Sequence, residues 1–147
     1  MMAAEELCFE DFPGLVRHEI GRIARADISR RQIDRIDFDR MEQLSVIFIL
    51  LRDEEKEGVR DFLAQTLRES DLFSIKGNHL YLLLPMTDRE GALHILGELS
   101  ELLGRTVPEI IVTYPEEASD ALQLLEKMHD YAQMRYGLKL DELLLPA

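Results

Sequence analysis

Residues 72–85, LFSIKGNHLYLLLP, hold the pattern on which the fold depends. Two apolar runs flank Gly77-Asn78, a pair typical of two-residue hairpin turns because glycine readily adopts a positive φ. Pairing across this turn places Ile75 opposite Leu80. The stretch therefore predicts an antiparallel hairpin near the middle of the chain.

Further strands and helices alternate on both sides of the hairpin. The run 44–51, LSVIFILL, contains no charged residue, as in a central strand covered on both faces. Residues 109–113, EIIVT, predict a short fourth strand. Apolar residues recur at helical spacing in four segments, and these begin near Asp11, Asp53, Thr87 and Ala118. The first helix is expected to end near Arg25, the second by Ser70, and the last two at Gly104 and Gly137.

Two local predictions concern the ends of helices. Thr87-Asp88-Arg89-Glu90 predicts a capping box, in which Thr87 caps the helix that follows. Residues 27–43 fit neither the helical nor the strand period, so we expect a loop that leads into a helix.

Residues 140–145 are apolar enough to dock, either on their own domain or on a partner, and docking on their own domain is favoured.

The order of elements predicts an α+β fold. Its inner part reads strand, helix, two strands, helix, strand, which is the ferredoxin-like βαββαβ arrangement with an antiparallel sheet and flanking helices. We expect one domain over residues 1–147, with residues 1–10 flexible, 11–43 an N-terminal helical region, 44–135 the core and 136–147 a C-terminal tail.

Composition excludes several classes of protein. The 17 basic and 29 acidic residues leave a formal charge of −12, which repels nucleic acid and anionic lipid. No apolar run approaches the roughly 20 residues that cross a bilayer, so no membrane partner is expected. Cys8 is the single cysteine, which excludes an internal disulfide and favours a cytoplasmic setting.

The chain resembles a degenerate GGDEF domain, the palm-like domain of bacterial diguanylate cyclases. The resemblance depends on the order of five segments: FPGLVRHEIGRIAR at 12–25, LSVIFILL at 44–51, Arg-x-x-Asp at 68–71, LLLPMT at 82–87 and Tyr-Pro at 114–115. It implies that residues 44–135 form a nucleotide-cyclase palm and that the chain has a bacterial signalling function.

The chemistry of that family needs carboxylates that hold divalent metal ions at the end of the first strand and in the hairpin turn. Leu50 and Arg52 stand at the strand positions, and no carboxylate remains in the turn, which reads Lys76-Gly77-Asn78-His79-Leu80. We therefore expect no catalytic residues, no metal, no cofactor and no cyclase activity. The chain would act as a regulatory domain that binds a protein partner or a second copy of itself.

Arg68 and Asp71 offer an alternative function. In the family that the chain resembles, this motif binds cyclic di-GMP, because arginine pairs with phosphate or guanine and aspartate accepts guanine N–H groups. An arginine at the end of a helix also commonly bonds to the last carbonyls, which is a purely structural explanation.

The four histidines, at positions 18, 79, 94 and 129, lack the short spacing of a metal site and are expected to be scattered. A buried meeting of His79 with two carboxylates would instead favour an enzyme of unrelated chemistry.

Overall fold

A computed structural model of the chain describes residues 5–33 and 42–144, and these form an α+β fold. Its strands are β1 (Glu5–Glu6), β2 (Leu44–Leu50), β3 (Leu72–Lys76), β4 (His79–Pro85) and β5 (Glu109–Tyr114). Its helices are α1 (Phe12–Ile33), α2 (Lys56–Thr66), α3 (Arg89–Leu103) and α4 (Ala121–Tyr136).

One sheet contains all of these strands, in the order β1-β3-β4-β2-β5. Its four longer strands are antiparallel to their neighbours, and the short β1 pairs in parallel with β3. The predicted hairpin is confirmed, because Ile75 pairs with Leu80. Gly77 has a φ of 60° in the turn, a conformation that costs glycine little.

Helices cover both faces of the sheet. On one face α1 and α4 pack around Phe12, Phe48 and Tyr81, and on the other α2 and α3 pack around residues that include Leu63 and Leu82. Strand β2 contributes to both cores and is buried along almost its whole length. The prediction of a central strand with two covered faces is therefore confirmed.

The first helix is longer than predicted. It continues beyond Arg25 to Ile33, so the prediction of a loop for residues 27–33 is wrong. The segment RIARADISRRQI contains no glycine or proline to end a helix, and its alanine, arginine and glutamine residues favour helix. The remainder of that predicted loop, residues 34–41, lies outside the described residues.

Residues 5–10 were expected to be flexible, yet they belong to the folded domain. Glu5–Glu6 extend the sheet along β3, and the Leu7 N–H donates to the Phe73 carbonyl at 2.7 Å. Phe9 follows in a 3₁₀ turn and is 8% exposed, packed against Phe12 and Tyr81. The burial of this aromatic ring is the physical reason that the segment is held in place.

The ends of α3 and α4 show which capping signals were correct. Gly104 and Gly137 adopt the left-handed conformation after the two helices, as predicted. The capping box with Thr87 is wrong: Asp88 is the N-cap of α3, and its carboxylate accepts the Gly91 N–H at 2.8 Å. Beyond α4, Leu140 and Leu143 are fully buried, so this part of the tail docks on its own domain.

Candidate functional site

Arg68 and Asp71 lie between the end of α2 and the start of β3, and they bind each other. The Arg68 backbone N–H donates to Asp71 Oδ2 at 2.9 Å, and its guanidinium donates to both carboxylate oxygens at 3.2 and 3.3 Å. The Asp71 side chain is 2% exposed, whereas that of Arg68 is 51% exposed. Asp71 therefore holds the loop together, and only the arginine faces solvent.

The same guanidinium reaches across to the end of β4. Arg68 Nη2 lies 2.5 Å from the Pro85 carbonyl and 2.7 Å from the Thr87 hydroxyl. Thr87 is thus engaged with Arg68 and with the Pro85 carbonyl at 3.1 Å, which explains why it does not cap α3. The contact joins the segments 68–71 and 82–87, which are separated by the β3–β4 hairpin.

A groove of about 690 Å³ adjoins Arg68. Its walls carry acidic, basic and apolar side chains, among them Glu42, Gln43, Met86, Asp88 and His94. Gln43 Oε1 is buried without a hydrogen-bond partner among the described residues. The groove can hold a polar ligand of moderate size, and Arg68 is the cation best exposed to such a ligand's phosphate or carbonyl oxygens.

The hairpin turn adjoins the end of β2. His79 pairs with Leu50 in the sheet, and the Leu51 N–H donates to the Asn78 carbonyl at 2.8 Å. The Asn78 amide returns a hydrogen bond to the Leu51 carbonyl at 2.8 Å. Asn78 therefore fixes the turn against the strand end with its own backbone and side chain.

An arginine side chain also lies beside the end of β2. Arg105 donates to both oxygens of Glu55, at 2.6 and 2.8 Å, and to the Leu50 carbonyl at 3.3 Å. The Arg105 hydrogen bonds lower the pKa of Glu55 from 4.5 to about 2. Arg105 thus pairs with a carboxylate and with the end of β2 at the same time.

His79 makes a contact that the sequence did not indicate. Its Nδ1 lies 2.6 Å from Glu142 Oε1, which also accepts a hydrogen bond from the Tyr81 hydroxyl at 2.8 Å. Burial raises the pKa of Glu142, but hydrogen bonds from His79, its own backbone and Tyr81 outweigh this, and the net pKa is lowered. The pKa of Tyr81 is raised, chiefly by burial and to a smaller extent by the neighbouring Glu142.

Among the described residues, the structure places one carboxylate, that of Glu142, against His79, whereas the arrangement named for an unrelated enzyme needs two. Glu142 lies in the apolar tail, far from the hairpin in sequence. The apolar residues around it were the one feature of the sequence that indicated that this segment docks on the domain. His129 bonds instead to Asp141 at 2.7 Å, and His94 to Glu98. Within residues 5–33 and 42–144, no group of three His, Cys, Asp or Glu side chains lies together to hold a metal ion.

Comparison with known proteins identifies no family for this chain. No protein-family model matches it, and no curated protein matches it either.

In the described part of the chain, no helix combines the length and apolar character needed to cross a membrane.

Proposed function

We propose that the chain is a non-catalytic GGDEF-like domain with a ferredoxin-like palm, and that it regulates by binding a protein partner or a second copy in the cytoplasm. The strand order β3-β4-β2-β5 supports this proposal. Strands β2, β3, β4 and β5 with helices α2 and α3 follow the order βαββαβ, which is the split βαβ arrangement.

The observation that carries the proposal is the chemistry where β2 meets the hairpin turn. Leu50 pairs with His79 there, and Arg105 donates to the Leu50 carbonyl. A cyclase palm needs carboxylates at these positions, because Mg²⁺ prefers oxygen anions and must offset the charge of two triphosphates. Leu50 and Arg52 carry no carboxylate at these positions, and the nearby Glu55 is already paired with Arg105.

Incubation of the protein with GTP and Mg²⁺ tests this proposal. We expect chromatography to detect no cyclic dinucleotide and no GTP loss above a protein-free blank. The His79→Ala variant and the exposed control His94→Ala should behave alike in this assay. GTP turnover that rises with protein concentration, and that His79→Ala abolishes while His94→Ala retains it, would overturn the proposal.

A receptor for cyclic di-GMP is the second candidate, and the groove beside Arg68 favours it. Both Asp71 oxygens already accept from Arg68, so a ligand would contact the exposed guanidinium rather than the aspartate. Calorimetry with cyclic di-GMP should give heat that Arg68→Ala removes and the exposed control Arg17→Ala preserves, with both variants folded by circular dichroism. Absence of heat from the unaltered protein excludes the receptor.

A further inference from the structure

Within the described part of the chain, strand β5 lies at the edge of the sheet and pairs with β2 alone. In an antiparallel pair, successive residues direct their backbone N–H and C=O groups alternately toward the partner strand and away from it. The Leu50 N–H donates to the Pro108 carbonyl at 3.1 Å, so Ile110 and Val112 also face β2. Residues 109, 111 and 113 therefore direct their backbone groups outward.

A tyrosine occupies one end of this outer edge. The Tyr136 hydroxyl accepts the Glu109 N–H at 3.1 Å and donates to the Glu109 carbonyl at 3.2 Å. One side-chain oxygen thus satisfies both outward groups of Glu109, which are the groups that an added strand would bind.

Glu117 and Arg89 occupy the other end. The Thr113 N–H donates to Glu117 Oε1 at 3.2 Å, and the Thr113 carbonyl accepts the Glu117 N–H at 2.8 Å. Arg89 holds the same Glu117 oxygen at 3.1 Å and lies 3.5 Å from the Ile111 carbonyl. Among the described residues, no side chain accepts the Ile111 N–H.

We propose that the β5 edge is a strand-pairing surface for the β5 strand of a second copy, and that Tyr136 and Glu117 hold it closed. Their hydrogen bonds replace those that a neighbouring strand would make at Glu109 and Thr113. At the opposite edge of the sheet, β1 pairs with Leu72 and Phe73 of β3.

The outward groups of β5 are complementary to those of a second copy. With two β5 strands antiparallel about a twofold axis at Ile111, Glu109 of each copy lies opposite Thr113 of the other. All three outward residues then find backbone partners, and Glu109 lies directly opposite an uncharged residue. A second copy of this strand therefore fits the edge, because it brings a carbonyl to the Ile111 N–H, which no side chain among the described residues accepts. This inference does not depend on the proposed function.

Sedimentation of the double variant Tyr136→Phe/Glu117→Ala tests the proposal. We expect self-association at least about tenfold tighter than for the unaltered protein, because backbone groups at both ends of the edge are freed for pairing. The matched control Tyr131→Phe/Glu116→Ala changes the same residue types away from the edge and should sediment like the unaltered protein.

Amide hydrogen exchange supplies the second measurement. In the double variant, the Glu109 and Thr113 amides should exchange faster at low protein concentration, and at high concentration these amides and Ile111 should become protected. A folded double variant that stays monomeric, association equal to the control, or association without protection at Ile111 would each contradict the proposal. If the double variant does not fold, Tyr136→Phe alone must speed exchange at Glu109, and unchanged exchange there counts against the proposal.

Discussion

Asp71 is a carboxylate buried between α2 and β3, and both of its oxygens accept hydrogen bonds from Arg68. A buried charge is tolerated only where such partners replace the water it has lost. The Arg68 backbone N–H and guanidinium are the partners here, and the guanidinium in turn binds the end of β4. The first role of this motif is therefore to hold three chain segments together, and any ligand would use the arginine's exposed part.

The substitution Asp71→Asn should lower the free energy of unfolding by about 1–3 kcal/mol, because an amide leaves the Arg68 hydrogen bonds incompletely satisfied. Urea denaturation measures this as a lower midpoint. Asp61→Asn changes an exposed aspartate on α2 and should alter stability by less than about 0.5 kcal/mol. Equal stability of the two variants would show that the buried pair contributes nothing.

Glu55 predicts a dependence of stability on acid pH. Arg105 lowers its pKa from 4.5 to about 2, so the ionised pair stabilises the fold fully above the ordinary pKa. That contribution should disappear as the pH falls from about 4.5 to about 2. Urea unfolding should show Glu55→Gln less stable by about 1 kcal/mol at neutral pH and no difference near pH 2. Glu57→Gln, at an exposed position, should match the unaltered protein throughout, and a pH-independent difference for Glu55→Gln would contradict the assignment.

The β3–β4 hairpin is the element whose local sequence and tertiary contacts agree most closely. Gly77 allows the tight turn, and Asn78 then fixes the turn to the end of β2. The register of the hairpin pairs Ile75 with Leu80, and both side chains pack in the core that α2 and α3 cover. A slip of one residue would exchange the two faces of both strands, so the turn determines which side chains are buried.

Two glycine substitutions separate turn strain from helix propensity. Gly77→Ala should destabilise the protein by about 1–2 kcal/mol, because an L-residue is strained at a φ of 60°. Gly58→Ala, within α2 and with no atom close to the added Cβ, should stabilise it by up to about 1 kcal/mol. Thermal unfolding measures both changes. If Gly77→Ala raised the melting temperature as Gly58→Ala does, the turn geometry described here would be wrong.

The sheet separates two hydrophobic cores, and the N-terminal segment packs into the core that α1 and α4 cover. Phe9 packs on Phe12 and Tyr81, with ring centroids 6.2 and 5.2 Å apart, at the edge where Glu142 meets His79. The segments before α1 and after α4 therefore converge on the same face of β4. Stability at this face depends on both ends of the described chain.

Truncating Phe9 tests whether the N-terminal segment contributes to the whole fold. Phe9→Ala should lower the free energy of unfolding by about 3 kcal/mol, because the ring's burial and its aromatic contacts are lost. Leu122→Ala removes an apolar side chain that is 62% exposed and should change little. Thermal and urea unfolding measure both variants, and an unchanged Phe9→Ala would mean that the segment does not contribute.

Features with local causes were predictable from the sequence. The hairpin register depends on a two-residue turn, the burial of β2 on an unbroken apolar run, and the ends of α3 and α4 on glycines that accept a positive φ. The capping of α3 was misassigned because Thr87 and Asp88 are equally good caps, and only the distant Arg68 decides between them by engaging Thr87. The length of α1 was missed because residues 26–33 carry mixed charges and show no regular apolar period.

The sequence alone determined the α+β order of elements, the hairpin and a turn that contains no carboxylate, since each depends on residue types and short spacings. Only the tertiary structure decided that Asp71 is enclosed by Arg68, that Glu142 binds His79, and that Tyr136 covers Glu109. Some of those contacts join residues that are far apart along the chain, and others depend on which groups are buried. The spacing of apolar residues in the sequence predicts neither kind. They arise because packing the two helical layers onto one sheet brings distant polar groups together, where burial obliges them to pair.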